Sequence, residues 1–144
     1  MPETIVRDEA RFFYSGLKPT PIRNELMDSI NQGKIKVLSA NKSMLDNLFS
    51  MFNGYFAKSI HLGEAEALAV LLDDDTSDIY FCTGDATAIK AIAMIGKPEK
   101  GISFEKLLNS IGSTKKLREQ FTQIFFQKKL KVGNIIRIQS FKSK

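Results

Sequence analysis

The sequence predicts an α/β protein, with helices on both faces of a mainly parallel sheet. Single short apolar runs alternate with helical segments along the chain, as they do where helices join parallel strands. Residues 65–72 are apolar at nearly every position, which is typical of a helix buried on most sides. Residues 79–82 are apolar and rich in β-branched and aromatic side chains, which predicts a short buried strand.

The first third of the chain predicts two helices and one strand. Residues 1–13 predict a helix with an apolar face, and residues 15–21, which contain a glycine and two prolines, predict a connector. Residues 22–31 predict a second helix. Residues 34–39 alternate between polar and apolar side chains, as a partly exposed strand does.

The middle of the chain predicts helices on both sides of the 79–82 strand. Residues 44–52 carry one apolar face and predict a helix that precedes the buried helix at 65–72. Residues 86–95 predict a second helix of small residues directly after the strand. A very short strand at 102–104 and a helix at 105–111 are expected to follow.

The basic residues are concentrated in the tail, residues 113–144. The chain has a net charge of +5, and the tail holds nine Lys or Arg with a single acidic residue, Glu119. A helix at 115–130 and a last strand at 135–138 are predicted there. The charge excess favours a polyanionic partner such as RNA, and a solvated helix face explains it equally well.

Length and composition exclude several classes of protein. A chain of 144 residues is long enough for one domain with its own core. Cys82 is the only cysteine, so an internal disulfide and a cysteine-rich zinc site are excluded, and its place in an apolar run predicts burial. His61 is the only histidine and is predicted to be partly buried. Because we find neither a spanning apolar run nor a signal peptide, we expect no membrane contact and a cytoplasmic location.

Acidic residues stand where helices meet the central strand. Magnesium and manganese prefer carboxylate oxygens, and a hydrolytic metal site needs several of them from separate elements. The candidates are Glu9, Glu64, Glu66 and Asp85, with Thr83 able to orient a ligand. The same acids could instead stabilise helix N-termini, and Thr83 could simply end the strand.

Glu64 and Glu66 are not equivalent candidates. Two residues of a helix that are two positions apart point about 200° apart around its axis. Only one of them can therefore face the site, and Glu64 is preferred because it is nearer to the preceding loop.

Four segments together resemble a branch of the PIN-domain superfamily. Residues 61–69 are similar to its "L-G-E-x-E-A" segment, and residues 81–86 to its apolar strand followed by "T-D-D". Residues 5–10 resemble the helix with the "V-x-x-E" motif, and residues 33–37 the "G-x-I-x-V" strand. The resemblance covers roughly residues 2–111.

The resemblance implies a three-layer α/β/α fold and a metal-dependent ribonuclease. Residues 1–112 would be the PIN-like domain, and 113–144 a basic helix–strand extension packed on it. The implied cofactor is Mg²⁺ or Mn²⁺, held by Glu9, Glu64 and Asp85, with Glu66 the other candidate on its helix and Thr83 nearby. The implied partners are RNA and, for a toxin of a toxin–antitoxin pair, an antitoxin-like protein; a homodimer is left open.

The chain also departs from that branch. PIN domains begin with a strand that ends in a ligating aspartate, and this sequence begins after that point; Gly84 also stands where the branch commonly has an acid. Loss of one carboxylate weakens a small acidic metal site. Two functions therefore stay open: a metal-dependent endoribonuclease, and a catalytically inactive PIN-fold protein that binds a protein or RNA. A module that binds RNA mainly through its tail is a third hypothesis.

Overall fold

The computed structural model of the protein describes residues 1–9, 12–15, 20–23, 26–73 and 79–142. This part of the chain is mostly helical, with short strands between the helices. The α-helices are α1 (Leu26–Asn31), α2 (Lys42–Ser50), α3 (Gly54–Lys58), α4 (Leu62–Asp73), α5 (Ala86–Met94), α6 (Phe104–Ser110) and α7 (Gln123–Lys142). A π-helix spans Ile5–Glu9, and 3₁₀ turns span Pro98–Lys100 and Glu119–Phe121.

The described strands form two small sheets. β1 (Phe12–Ser15) pairs antiparallel with β2 (Thr20–Arg23), and β3 (Phe81–Cys82) pairs parallel with β4 (Gly101–Ile102). A single parallel bridge joins Pro2 to Leu38. The parallel pairing of β3 with β4 agrees with an α/β protein.

The core is centred on α4, which packs against α2 and α5. The predicted burial of α4 on most sides is confirmed, because Ala65, Leu68, Ala69 and Leu71 are all buried. In the described part of the chain, no helix is both long and apolar enough to cross a lipid bilayer.

Helix α7 lies along α5 at a close approach. A Cβ atom at Gly133 would lie 2.4 Å from the carbonyl oxygen of Lys90 and 2.9 Å from the Cβ of Ala93. Only glycine fits this contact without moving a helix. Phe126, seven residues or about two turns earlier on α7, is 2% exposed and anchors the same face.

The N-terminal predictions are wrong in part. Of the helix predicted over 1–13, Ile5–Glu9 is a π-helix, whereas the run at Phe12–Ser15 is a strand, the structure that aromatic residues favour. The predicted connector 15–21 overlaps both strands of the hairpin, and the helix predicted from residue 22 begins at Leu26, after β2. The strand predicted over 34–39 is reduced to the bridge at Leu38.

The tail is one long helix rather than a helix and a strand. The helix predicted over 115–130 begins only at Gln123, and the strand predicted over 135–138 lies inside α7. Gly133 suggested a break between the two, but its missing side chain serves the contact with α5 instead. The helices predicted over 44–52, 86–95 and 105–111 are confirmed as α2, α5 and α6, and the short strand expected at 102–104 is β4, one residue earlier.

Candidate active site

Glu64 lies in the first turn of α4 and reaches the end of β3. The helix begins beside an exposed His61, whose carbonyl oxygen accepts a hydrogen bond from the N–H of Ala65. The hydroxyl of Thr83, just after β3, donates to Oε1 of Glu64 over 3.4 Å. The start of α4 and the end of β3 are thus joined through one carboxylate.

Asp85 stands two residues after Thr83 and caps α5. Its Oδ1 accepts hydrogen bonds from the N–H groups of Thr87 and Ala88, at 2.7 and 2.9 Å. Its own N–H donates to the Thr83 hydroxyl, 3.0 Å away. The capping role weighed from the sequence is therefore present. In the described part of the chain both capping bonds use Oδ1, so Oδ2 is left for another contact.

The negative charge of the Glu64 carboxylate is only partly stabilised by its surroundings. Burial, followed by the charge of Asp85, raises its pKa, and His61, the Thr83 hydroxyl and a backbone hydrogen bond only partly oppose that rise. Its Oε2 is buried and has no hydrogen-bond partner among the described residues. Two neighbouring carboxylates with one unpartnered oxygen form a site that a cation would stabilise.

Glu66 points away from this pair and binds backbone instead. It is 6% exposed, and its two carboxylate oxygens accept from the N–H of Thr4 at 2.8 Å and the N–H of Ala40 at 3.3 Å. The two glutamates thus face different partners, as their spacing on the helix requires. Glu66 fastens the N-terminal segment and the chain before α2 to the central helix.

The third predicted ligand is Glu9. Its backbone closes the π-helix, and its side chain lies outside the described part of the structure. Among the residues that the structure does describe, no group of three or more His, Cys, Asp or Glu is placed to hold a metal ion. The described part of the site is therefore the pair Glu64 and Asp85, joined through Thr83.

Two adjoining clefts of about 500 and 480 Å³ open beside the segment that carries Thr83 and Asp85. Asp85 lines the first cleft, Thr83 lines the second and Gly84 lines both, and the segment before α7 forms the opposite wall. Lys116 and Arg118 bring positive charge to the second cleft. Asp85 thus lines the first cleft together with Glu119, and the basic residues line the neighbouring cleft.

Aromatic rings complete the wall of the clefts. Phe104 and Phe121 meet edge to face, with ring centroids 6.2 Å apart. A Cβ at Gly84 would lie 2.6 Å from the Phe121 ring, so the absence of a side chain there lets the segment before α7 pack on the end of β3. The glycine that departs from the PIN-like pattern therefore has a packing reason.

The segment carrying this wall is held by contacts between the start of α6 and the start of α7. Ser103 is 1% exposed, accepts from the N–H of Lys106 as the cap of α6, and donates to the side chain of Gln123 over 2.5 Å. Glu105 accepts from the N–H of Gln123 at 2.6 Å, at the start of α7. These bonds position the cleft wall opposite Asp85.

Sequence reasoning missed the cleft wall and misjudged two side chains. The basic cluster at Lys116 and Arg118 was visible as charge excess, but it was assigned to a helix packed on the core. Cys82, predicted to be buried, is exposed. His61, predicted to be partly buried, is exposed as well.

No protein-family model, curated protein or solved structure gives a significant match to this chain. Its function is therefore inferred from the chemistry around Glu64 and Asp85.

Proposed function

We propose that the protein is a PIN-like, Mg²⁺- or Mn²⁺-dependent endoribonuclease, with its helices in a three-layer α/β/α arrangement. One observation carries the proposal. Glu64 and Asp85 come from different elements and converge where β3 ends, and a buried oxygen of Glu64 has no partner among the described residues. Carboxylate oxygens are ligands that a divalent cation prefers. A ligand that offers only hydrogen-bond acceptors would not bind this pair, because ionised carboxylates are acceptors themselves.

The donor set fits a hard cation. Glu64 and Asp85 would hold the ion through carboxylate oxygens, with Glu9 as the third ligand in the proposal. A bound Mg²⁺ or Mn²⁺ polarises a phosphoryl oxygen and makes water a better nucleophile. The chain's own part is to orient these ligands: the Thr83 hydroxyl holds Glu64, and the capping bonds of Asp85 fix that carboxylate on α5.

The clefts support a polyanionic, base-bearing substrate. Lys116 and Arg118 line the second cleft together with Thr83 and would attract the phosphates of a polyanion there. Phe104 is 38% exposed and offers a ring on which a base could stack. Together these features favour single-stranded RNA, and the PIN-like motifs favour a toxin neutralised by an antitoxin-like protein in the cytoplasm.

The second candidate is a protein of the same fold that binds RNA or a protein without cleaving it. Two observations favour it: Asp85 already caps α5, and Glu66 is fully occupied by backbone N–H groups. Only two candidate ligands are thus placed together in the described part of the chain.

An RNA-cleavage assay with Mn²⁺ separates the two functions. The parent, Glu64→Gln, Asp85→Asn and the exposed control Glu99→Gln are compared on single-stranded RNA, with and without a chelator. We expect the two site variants to lose about a hundredfold or more of the rate, since even outer-shell partners of a metal are worth about 10–100-fold. The control should match the parent.

Equal residual cleavage in the parent and in both site variants would show that these carboxylates are not catalytic. RNA binding by the parent without any metal-dependent cleavage would favour the binding module.

A further inference from the structure

Helix α7 has two chemically different faces. One face packs on α5 through Phe126 and Gly133, and Arg137 on the same side lies against Gly96. The opposite face is exposed, although it carries large aliphatic side chains. Ile124 is 82% exposed, Ile135 47% and Ile138 57%.

The exposed side chains form one stripe along the helix. We call it the α7 stripe, and its members are Ile124, Lys128, Lys131, Ile135 and Ile138. Their spacing alternates between four and three residues, which is the spacing of the seam along which two helices pack. Val132, at the edge of the stripe, is 41% exposed. A soluble protein usually exposes large aliphatic side chains singly, so the neighbouring exposed side chains of Val132, Ile135 and Ile138 mark an interaction surface, which Ile124 extends beyond the lysines.

The charge of α7 restricts the partner. The twenty residues of the helix contain no Asp or Glu, and two of the five stripe positions are lysines. A lysine at a seam position destabilises the helix pair unless a carboxylate faces it, because its charge would be buried without a partner. A partner must therefore present apolar side chains opposite the isoleucines and acidic side chains opposite Lys128 and Lys131.

We propose that the α7 stripe docks an amphipathic, acidic helix of another protein. A second copy of this chain is disfavoured because it would place the lysines of one stripe in the other's lysine-rich surface. RNA is disfavoured because the isoleucines would face phosphates. A lipid surface requires lysines at the flanks of a continuous apolar strip, whereas Lys128 and Lys131 stand in its middle.

The stripe is separate from the candidate active site. None of its five residues lines either cleft beside Asp85. Docking at the stripe therefore does not depend on the proposed nuclease activity, and it can be measured without RNA or metal.

Designed peptides test the docking on the full chain. An acidic helical peptide as long as α7 carries Leu opposite the isoleucines and Glu opposite Lys128 and Lys131. It is made in two versions, one designed to bind parallel to α7 and one antiparallel. A basic peptide replaces those Glu by Lys. Fluorescence anisotropy of each labelled peptide reports its affinity for the protein.

We expect the acidic peptide to bind the parent and the basic peptide not to bind. Ile135→Glu should weaken the acidic peptide roughly tenfold or more, as loss of a central contact does. The control Ile111→Glu, at a side chain that is 73% exposed after α6, should not change it. The double variant Lys128→Glu/Lys131→Glu should prefer the basic peptide, a gain that a misfolded protein would not show. Its charge-matched control, Lys34→Glu/Lys36→Glu, should keep the preference of the parent.

Four results would overturn the proposal. Two concern the peptides: the acidic peptide binds in neither direction, or both peptides bind equally well. The other two concern different partners: the protein binds phosphatidylglycerol-containing vesicles instead of the peptide, or it self-associates in sedimentation velocity, in each case in a way that depends on Ile135.

Discussion

The two glutamates of α4 should respond in opposite ways to the same isosteric change. Glu66→Gln keeps the size of the side chain but offers one acceptor oxygen in place of two. The N–H groups of Thr4 and Ala40 both need an acceptor there, so one of them would face the amide NH₂. Glu64 has no such pair of donors, and its unpartnered oxygen is buried beside Asp85.

The magnitude follows from the contacts. A hydrogen bond to a charged group is worth about 1.5–3 kcal/mol, and the 3.3 Å bond from Ala40 lies at the weak end of that range. We therefore expect Glu66→Gln to lower the free energy of unfolding by about 2 kcal/mol. With a typical urea dependence, this change moves the urea midpoint down by about 1 M. Glu64→Gln removes a desolvated charge and should leave the stability at neutral pH unchanged or higher.

Urea unfolding followed by far-ultraviolet circular dichroism measures both variants. Glu99→Gln, at an exposed site, is the matched control and should match the parent. Equal losses in Glu64→Gln and Glu66→Gln, or a larger loss in Glu64→Gln, would refute the assignment of Glu66 to structure and Glu64 to the site.

Two further predictions concern the packing of α7 and the charge of Glu64. Gly133→Ala should lower the free energy of unfolding by about 1–3 kcal/mol, because its Cβ would meet Lys90 of α5. The control Gly54→Ala, at an open position in α3, should leave the free energy of unfolding unchanged or raise it by up to about 1 kcal/mol. Thermal unfolding compares the two variants, and equal effects would contradict the close approach of α7 to α5. Because the folded pKa of Glu64 is raised, the native state binds the extra proton, and the parent should gain stability relative to Glu64→Gln as pH falls from neutral towards 4.5. A difference that is independent of pH in that window would show that Glu64 is not desolvated.

The sequence predicted the centre of the fold because its signals there are local. Residues 65–72 are apolar all round, so their helix has to be buried, and the cap at Asp85 marks the start of α5 in the sequence itself. The same local signals placed Glu64 and Glu66 on opposite sides of one helix. In the structure Glu64 contacts the Thr83 hydroxyl and Glu66 accepts from the N–H of Thr4, and the preference for Glu64 as a ligand stays a prediction.

The errors occurred where a tertiary contact decides the outcome. Gly133 indicates a helix break when α5 is not known, and its role in the close approach depends on Lys90 and Ala93. Gly84 likewise stands where the resemblance leads one to expect an acidic residue. The reason for a glycine there is the ring of Phe121, which packs against it. The cleft wall around Lys116 and Arg118 is brought to Asp85 by hydrogen bonds between α6 and α7, which no periodicity in the sequence reveals.

The central claim is that Glu64 and Asp85 form a divalent metal site, and the most direct test is anomalous scattering from crystals soaked in millimolar Mn²⁺. We expect an anomalous peak in contact with both carboxylates in the parent, and none at that position in Glu64→Gln crystals soaked in the same way. An empty position in the parent, with Oε2 of Glu64 still buried and unpartnered, would contradict the claim.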